Sequence, residues 1–174
     1  MNYDYSELVE RIDAWEIKNW GTRKKIESGF KYAHQPLLGI VEELGELAKH
    51  LTNPAEAYDA IGDVMIFMVD YCLCMSIRFV QLVKKPAYEA PTDFRTIMKT
   101  VGYLCHHHLK LEQDIRGNIS THLYSIEAYL TQIIGILKNL CEEYDFSFKE
   151  VIFNTWEYVE TRDWSKDKEK GGVE

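Results

Sequence analysis

Residues 56–71 read Glu56-Ala-Tyr-Asp-Ala-Ile-Gly-Asp-Val-Met-Ile-Phe-Met-Val-Asp-Tyr71, and this stretch decides the fold. At about 100° per residue, Ile61, Val64, Met65, Ile66, Phe67, Met68 and Val69 surround a helix almost completely, which predicts that it is largely buried. Glu56, Asp59, Asp63 and Asp70 nevertheless share one stripe about 60° wide. Crowded buried carboxylates repel one another and lose hydration unless they are protonated or bound to a cation. A divalent metal resolves both penalties, so the stripe reads as functional. Just upstream, Val41-Glu-Glu-Leu-Gly-Glu-Leu-Ala-Lys-His-Leu51 puts Glu42, Glu43 and Glu46 within one arc of about 100°. Val41, Leu44, Leu47, Ala48 and Leu51 crowd the opposite side. Alone, that arc is what an ordinary solvated face looks like. Together, the two segments offer a cluster of hard oxygen donors of the kind that binds Mg²⁺, and Mg²⁺ implies phosphate chemistry.

Helical periodicity continues outward from this pair. Helices are expected over 5–20 (marked by Leu8, Ile12, Trp15 and Ile17), 36–51, 55–80, 93–112, 120–144 and 147–162. No strand alternation is sustained, so the fold class is all-α, a helical bundle. Residues 21–36 form a basic, glycine-containing connector ending in His34-Gln35-Pro36, with the proline placed to open the next helix. Lys84–Pro91 is the clearest linker, and Ser165–Glu174 is a charged tail. The expected organisation is an N-terminal repeat over 1–83, a linker over 84–92, a second repeat over 93–164 and a tail over 165–174, the repeats sharing one core.

Composition narrows the function. A hydrophobic fraction of 46% and 13% aromatics supply a packed interior. A formal charge of −8 argues against a nucleic-acid backbone as partner, but not against a nucleotide whose charge a metal neutralises. Cys72, Cys74, Cys105 and Cys141 lie in apolar helical runs without CxxC spacing and read as reduced core residues. The start, Met-Asn-Tyr-Asp-Tyr-Ser, has neither a basic nor an apolar leader region, and the run Val64–Val69 is too short to span a bilayer. A soluble cytoplasmic protein without a membrane partner is expected.

An internal repeat shows through the layout. Val41-Glu-Glu-Leu-Gly-Glu aligns with Val101-Gly-Tyr-Leu-Cys-His, and the segment Gly62–Cys72 aligns with Thr131–Cys141. In that register Glu43 faces Tyr103, Glu46 faces His106, Asp59 faces Ala128 and Asp63 faces Gln132. The apolar frame persists while the acids vanish. An apolar face left over from such a duplication would favour a homodimer, whereas a core closed within one chain would not.

Rival chemistries fit less well. A di-iron carboxylate bundle wants Glu-x-x-His on two helices, and this chain offers only Glu46 and His50. His106-His107-His108 points in three directions on a helix, cannot form one tridentate site, and reads as partner-facing polar residues. No GxxxxGK[ST], GxGxxG or GxSxG is present, so phosphate contacts must come from side chains. Lys31, Lys110, Arg116 and Arg162 are the candidates. Trp15, Trp20, Trp156 and Trp164 read as core or edge packing rather than base-stacking platforms.

At this point the residues resemble the MazG-like, all-α nucleoside triphosphate pyrophosphohydrolases. The likeness rests on His34-Gln35-Pro36-Leu-Leu-Gly-Ile-Val-Glu-Glu-Leu-Gly-Glu-Leu-Ala with its EExxE signature, and on Asp59-Ala-Ile-Gly-Asp63-Val. It extends to Glu157-Tyr-Val-Glu-Thr-Arg162-Asp-Trp164 and to His108-Leu-Lys-Leu-Glu-Gln-Asp-Ile-Arg116-Gly, covering most of 30–164 in two copies. The resemblance implies Mg²⁺-dependent hydrolysis (Mn²⁺ as the alternative ion) of a nucleoside triphosphate between the α and β phosphates. It implies Glu43, Glu46 and Asp63 as metal ligands; Glu42 or Glu46 is expected to activate the water, and Lys31, His34, Lys110, Arg116 and Arg162 are the expected substrate contacts. The family's ExxD motif would put Glu at position 60, where this chain has Ala60; Asp59 or Glu56 could substitute from the same stripe. The alternative is a catalytically inactive relative acting as a nucleotide sensor or protein-binding module. A purely structural helical adaptor would leave the acidic stripe unexplained.

Overall fold

The long apolar stretch becomes the central helix of the chain. A computed structural model describes residues 4–21, 32–86 and 91–169. These residues form seven helices and no strand: α1 (Tyr5–Trp20), α2 (His34–Lys49), α3 (Pro54–Met75), α4 (Phe79–Val83), α5 (Phe94–Glu112), α6 (Ile119–Glu143) and α7 (Phe148–Glu160). The all-α class is therefore what the structure has. Lys31, most of the 21–36 connector and parts of the linker and tail lie outside the described residues.

Local chemistry sets the helix ends. Asp4, Asp93, Asn118 and Ser147 each accept a backbone N–H of the following first turn, the usual work of an N-cap. Proline opens α3, where its missing N–H leaves no helical bond unmade. One expected boundary is wrong. The segment 55–80 is not a single helix, because Ser76 turns left-handed (φ 57°) and the chain restarts as α4 at Phe79. The N–H of Ile77 returns to the carbonyl of Cys72 at 2.8 Å and closes the end of α3.

α6 ends the same way. Asp145 is left-handed (φ 58°), Phe146 N–H donates to the Cys141 carbonyl at 2.8 Å, and α7 begins at Phe148. The register that sets Cys72 opposite Cys141 thus also sets Ser76 opposite Asp145 and Phe79 opposite Phe148.

Two helical hairpins, α2–α3 and α5–α6, carry most of the packing, with α7 laid along α3 and α1 against α3, α4 and α7. One hydrophobic core runs through all of them, from Leu8 and Ile12 of α1 to Trp156 of α7. Ile17, expected on the apolar face of α1, is exposed instead. Among the described residues no helix is long and apolar enough to cross a membrane. All four cysteines are free, with Cys72 and Cys141 buried in the core and Cys74 and Cys105 half-buried.

The α3–α7 contact is unusually close, and it matters for the site. A Cβ on Gly62 would lie 2.0 Å from Thr155 Oγ1 and 2.5 Å from its Cβ. Gly62→Ala must push α7 away from α3 and is expected to destabilise the protein by about 1–3 kcal/mol. Urea denaturation of the variant checks this; an unchanged midpoint would mean the two helices do not meet at Gly62.

Candidate metal centre

The short turn after α2 folds α3 back along it, so the acids meet across the hairpin in antiparallel order. One ligand atom each of Glu46, His50 and Glu56 lie within 4.8 Å of one another. One to two turns further into the hairpin, Glu43 faces Asp59 and Asp63. Glu43 is half-buried and its carboxyl is pushed up to about 8, first by loss of water and then by the charges of Asp63, Glu42, Glu46 and Asp59. Asp63 rises to about 6 through burial and the charge of Asp59, with Glu46 and Glu42 adding smaller pushes. Arg162 pulls it the other way.

Glu42, Glu43, Glu46, Asp59 and Asp63 therefore occupy one electrostatic neighbourhood, drawn from two helices. Two features differ from the expected picture. Glu56 and Asp59 are exposed rather than buried, although Ala57 and Ala60 of the same turns are packed in the core. Asp70, by contrast, is 8% exposed and lies two turns past Asp63, so the stripe divides into an open acidic end and a buried one. Ala60 is 2% exposed and packs in the core. Its neighbour Asp59 bears on both Glu43 and Asp63.

Arg162 is the candidate substrate residue that the fold delivers to this neighbourhood. It follows α7, whose close approach at Gly62 brings it beside Asp63. The end of α1 fixes the segment. Trp15 Nε1 donates to the Arg162 carbonyl at 2.9 Å, Trp164 N–H donates to Asn19 Oδ1 at 2.6 Å, and Lys18 pairs with Asp163 at 2.9 Å. The guanidinium lies over the Tyr158 ring at 4.8 Å, and Trp164 stacks on Trp20 at 6.4 Å. Trp156 is fully buried and meets Trp15 edge to face.

His34, Lys110 and Arg116 are placed elsewhere. His34 opens α2 and pairs with Glu112 at 2.8 Å, about 12 Å of helix rise from Glu42 and about 18 Å from Glu46. Lys110 shares that end of the bundle and donates to Gln113 Oε1 at 2.9 Å, and Arg116 sits in the turn that follows α5. The expected reach of Lys110 and Arg116 across to the acids is not what this packing gives, because α5 meets α2 at the end where α2 begins. Lys31 lies outside the described residues. The histidine run does diverge, but not wholly toward a partner. His106 is exposed, the Nδ1 atoms of His107 and His122 are 3.1 Å apart, and His108 is buried against Tyr71.

The donor set at the acidic end is all carboxylate, apart from His50 at its edge. Such hard donors suit Mg²⁺ or Mn²⁺ rather than a thiophilic ion. Compared with family models, curated proteins and solved structures, the chain matches none.

Proposed function

We propose that the chain is a Mg²⁺-dependent nucleotide pyrophosphohydrolase, cleaving an NTP or dNTP between the α and β phosphates to the monophosphate and pyrophosphate. The observation that carries this reading is the crowding of five carboxylates in one neighbourhood, where burial first and then the charges of the other four lift Glu43 to about 8. A site this acidic is at ease fully ionised only around a hard dication. Glu43, Glu46, Asp59 and Asp63 would hold Mg²⁺, with Mn²⁺ the alternative. When bound, the ion supplies charge neutralisation and a fixed orientation for the triphosphate.

The chain's own residues do the rest. Arg162 offers a planar, two-pronged cation to the phosphates that will leave. Glu42 or Glu46, both exposed, accepts the proton of the attacking water. The water oxygen bonds to the α-phosphorus, the bond from it to the bridging oxygen breaks, and pyrophosphate departs with that electron pair. The second hairpin is a copy in which the acids of the motif are replaced, by Tyr103, His106, Ala128 and Gln132. Support comes from the shared left-handed caps and from the groove at the equivalent positions, lined by Gly102, Tyr103, His106 and Tyr129 with no carboxylate.

Metal titration tests the site first. Mg²⁺ or Mn²⁺ added to chelator-stripped protein is expected to raise Tm with concentration, and an unmoved Tm would count against it. Arg162→Ala, losing a charge-assisted contact of about 1.5–3 kcal/mol, is expected to raise KM about 10- to 100-fold without unfolding the chain. An unchanged KM would remove Arg162 from the substrate site.

A further inference from the structure

At the end of α2 opposite the acids, a second ligand set faces inward. His34, the first residue of α2, meets His108 and Glu112 of α5, with one ligand atom of each inside a 4.8 Å circle. His34 Nε2 lies 2.8 Å from Glu112 Oε2, and His108 Nε2 lies 3.8 Å from Glu112 Oε1. An ion pair between His34 and Glu112 accounts for Oε2 only. His108 is 2% exposed, and both its Nε2 and Glu112 Oε1 are buried without a hydrogen-bond partner. Each such orphan costs about 1–3 kcal/mol, so a pair facing each other asks for an explanation.

The geometry supplies one. The 3.8 Å gap is too wide for a hydrogen bond. Two donors about 2.0–2.2 Å from a tetrahedral ion stand roughly 3.5 Å apart, so a metal between these atoms would satisfy both. The other ring nitrogen of His108, Nδ1, is 3.0 Å from the buried Tyr71 hydroxyl. A hydrogen bond on that side orients the imidazole and turns Nε2 toward the gap, as outer-shell partners of metal-bound histidines do. His34 is about half exposed.

We infer that His34, His108 and Glu112 form a second metal site, for a borderline transition-metal dication of the zinc type, distinct from the carboxylate cluster. Two imidazoles and one carboxylate suit Zn²⁺ and are a poor set for Mg²⁺. Three protein ligands leave one position open. The ion joins the start of α2 to the end of α5 and so pins one helical hairpin to the other.

The test uses the full chain, stripped of metal and held in excess Mg²⁺ so that the carboxylate cluster does not compete. Zn²⁺ titration by calorimetry, with Co²⁺ absorption as the spectroscopic readout, is expected to give one ion per chain with tetrahedral-type visible bands. His34→Ala and Glu112→Gln, neither of which opens a core cavity, are expected to weaken binding more than ~100-fold, and Tyr71→Phe about 10-fold. His106→Ala and Glu46→Gln leave it unchanged. Circular dichroism confirms that each variant is folded. Absence of stoichiometric Zn²⁺ binding overturns the inference. So does binding that survives both His34→Ala and Glu112→Gln, or that disappears with His106→Ala or Glu46→Gln. None of these results bears on pyrophosphate release at the acidic site.

Discussion

Asp63→Asn is expected to lower nucleotide turnover by about 10³-fold while leaving the metal-free protein at least as stable as the parent. The two effects have opposite signs for one reason. Asp63 is raised to about 6 by burial and by the charge of Asp59, so its ionised form is under strain without a cation. Asparagine keeps the shape and removes the charge, which relieves that repulsion and takes away a proposed metal ligand in the same step. The Mg²⁺-dependent rise in Tm should disappear along with turnover. A residue that merely supported the fold would behave in reverse, losing stability and retaining activity per folded molecule. Steady-state kinetics beside thermal melts, with and without Mg²⁺, separate the two. Glu46→Ala is expected to follow Asp63→Asn in activity.

Glu43 gives the second large effect, read in pH. An acid whose folded pKa is raised holds its proton in the native state after the unfolded chain has released it. Between the two pKa values the native state binds more protons, so stability falls as pH rises. For Glu43 that window runs from 4.5 to about 8, and Asp63 contributes from 3.8 to about 6. The metal-free protein should therefore lose stability from about pH 4 to pH 8. Glu43→Gln should flatten most of the upper half of that slope. Discounted for the water that still reaches this half-buried side chain, the gain at pH 8 is about 1–2 kcal/mol, roughly 4 °C in Tm. Saturating Mg²⁺ should flatten the parent's slope as well, because bound carboxylates no longer need their protons, and at pH 7 metal binding should release protons. A parent protein whose metal-free stability rises steadily from pH 5 to pH 8 would contradict the crowding of these acids.

Most of the fold was legible because it is written in periodicity. The apolar wrap of 61–69 specified a buried helix, and the structure makes it the centre of the bundle. The break at Ser76 was not read, since neither glycine nor proline marks it. It was present indirectly. The alignment of Cys72 with Cys141 carries the break expected after residue 144 back to residue 75, where α3 ends. Exposure along the acidic stripe was misjudged for a different reason. Periodicity says which residues share a face, not which side of the helix the neighbouring helices leave open, so Glu56 and Asp59 read as buried when they are open.

The site was legible in the same measure. Spacing grouped Glu43 with Glu46 on one helix and Asp59 with Asp63 on the next; the fold makes the two faces meet and brings the candidate Arg162 to them from a segment about a hundred residues away in the chain. Lys110 and Arg116 could not be located in advance, because where α5 meets α2 is a property of packing rather than of any local pattern. The triad at the other end was missed for the same cause. His108 and Glu112 stand one helical turn apart and could have been noticed as a pair, but only tertiary packing brings His34 to them.

The most direct test of the central claim is the product of the reaction. Purified chain, Mg²⁺ and a panel of canonical and modified NTPs and dNTPs should be followed by phosphorus NMR. The expected result is monophosphate and pyrophosphate in equal amounts from at least one nucleotide, absent without metal and absent in Asp63→Asn. Diphosphate with orthophosphate, or tight nucleotide binding with no turnover across the panel, would contradict it, the second outcome making the chain a nucleotide sensor.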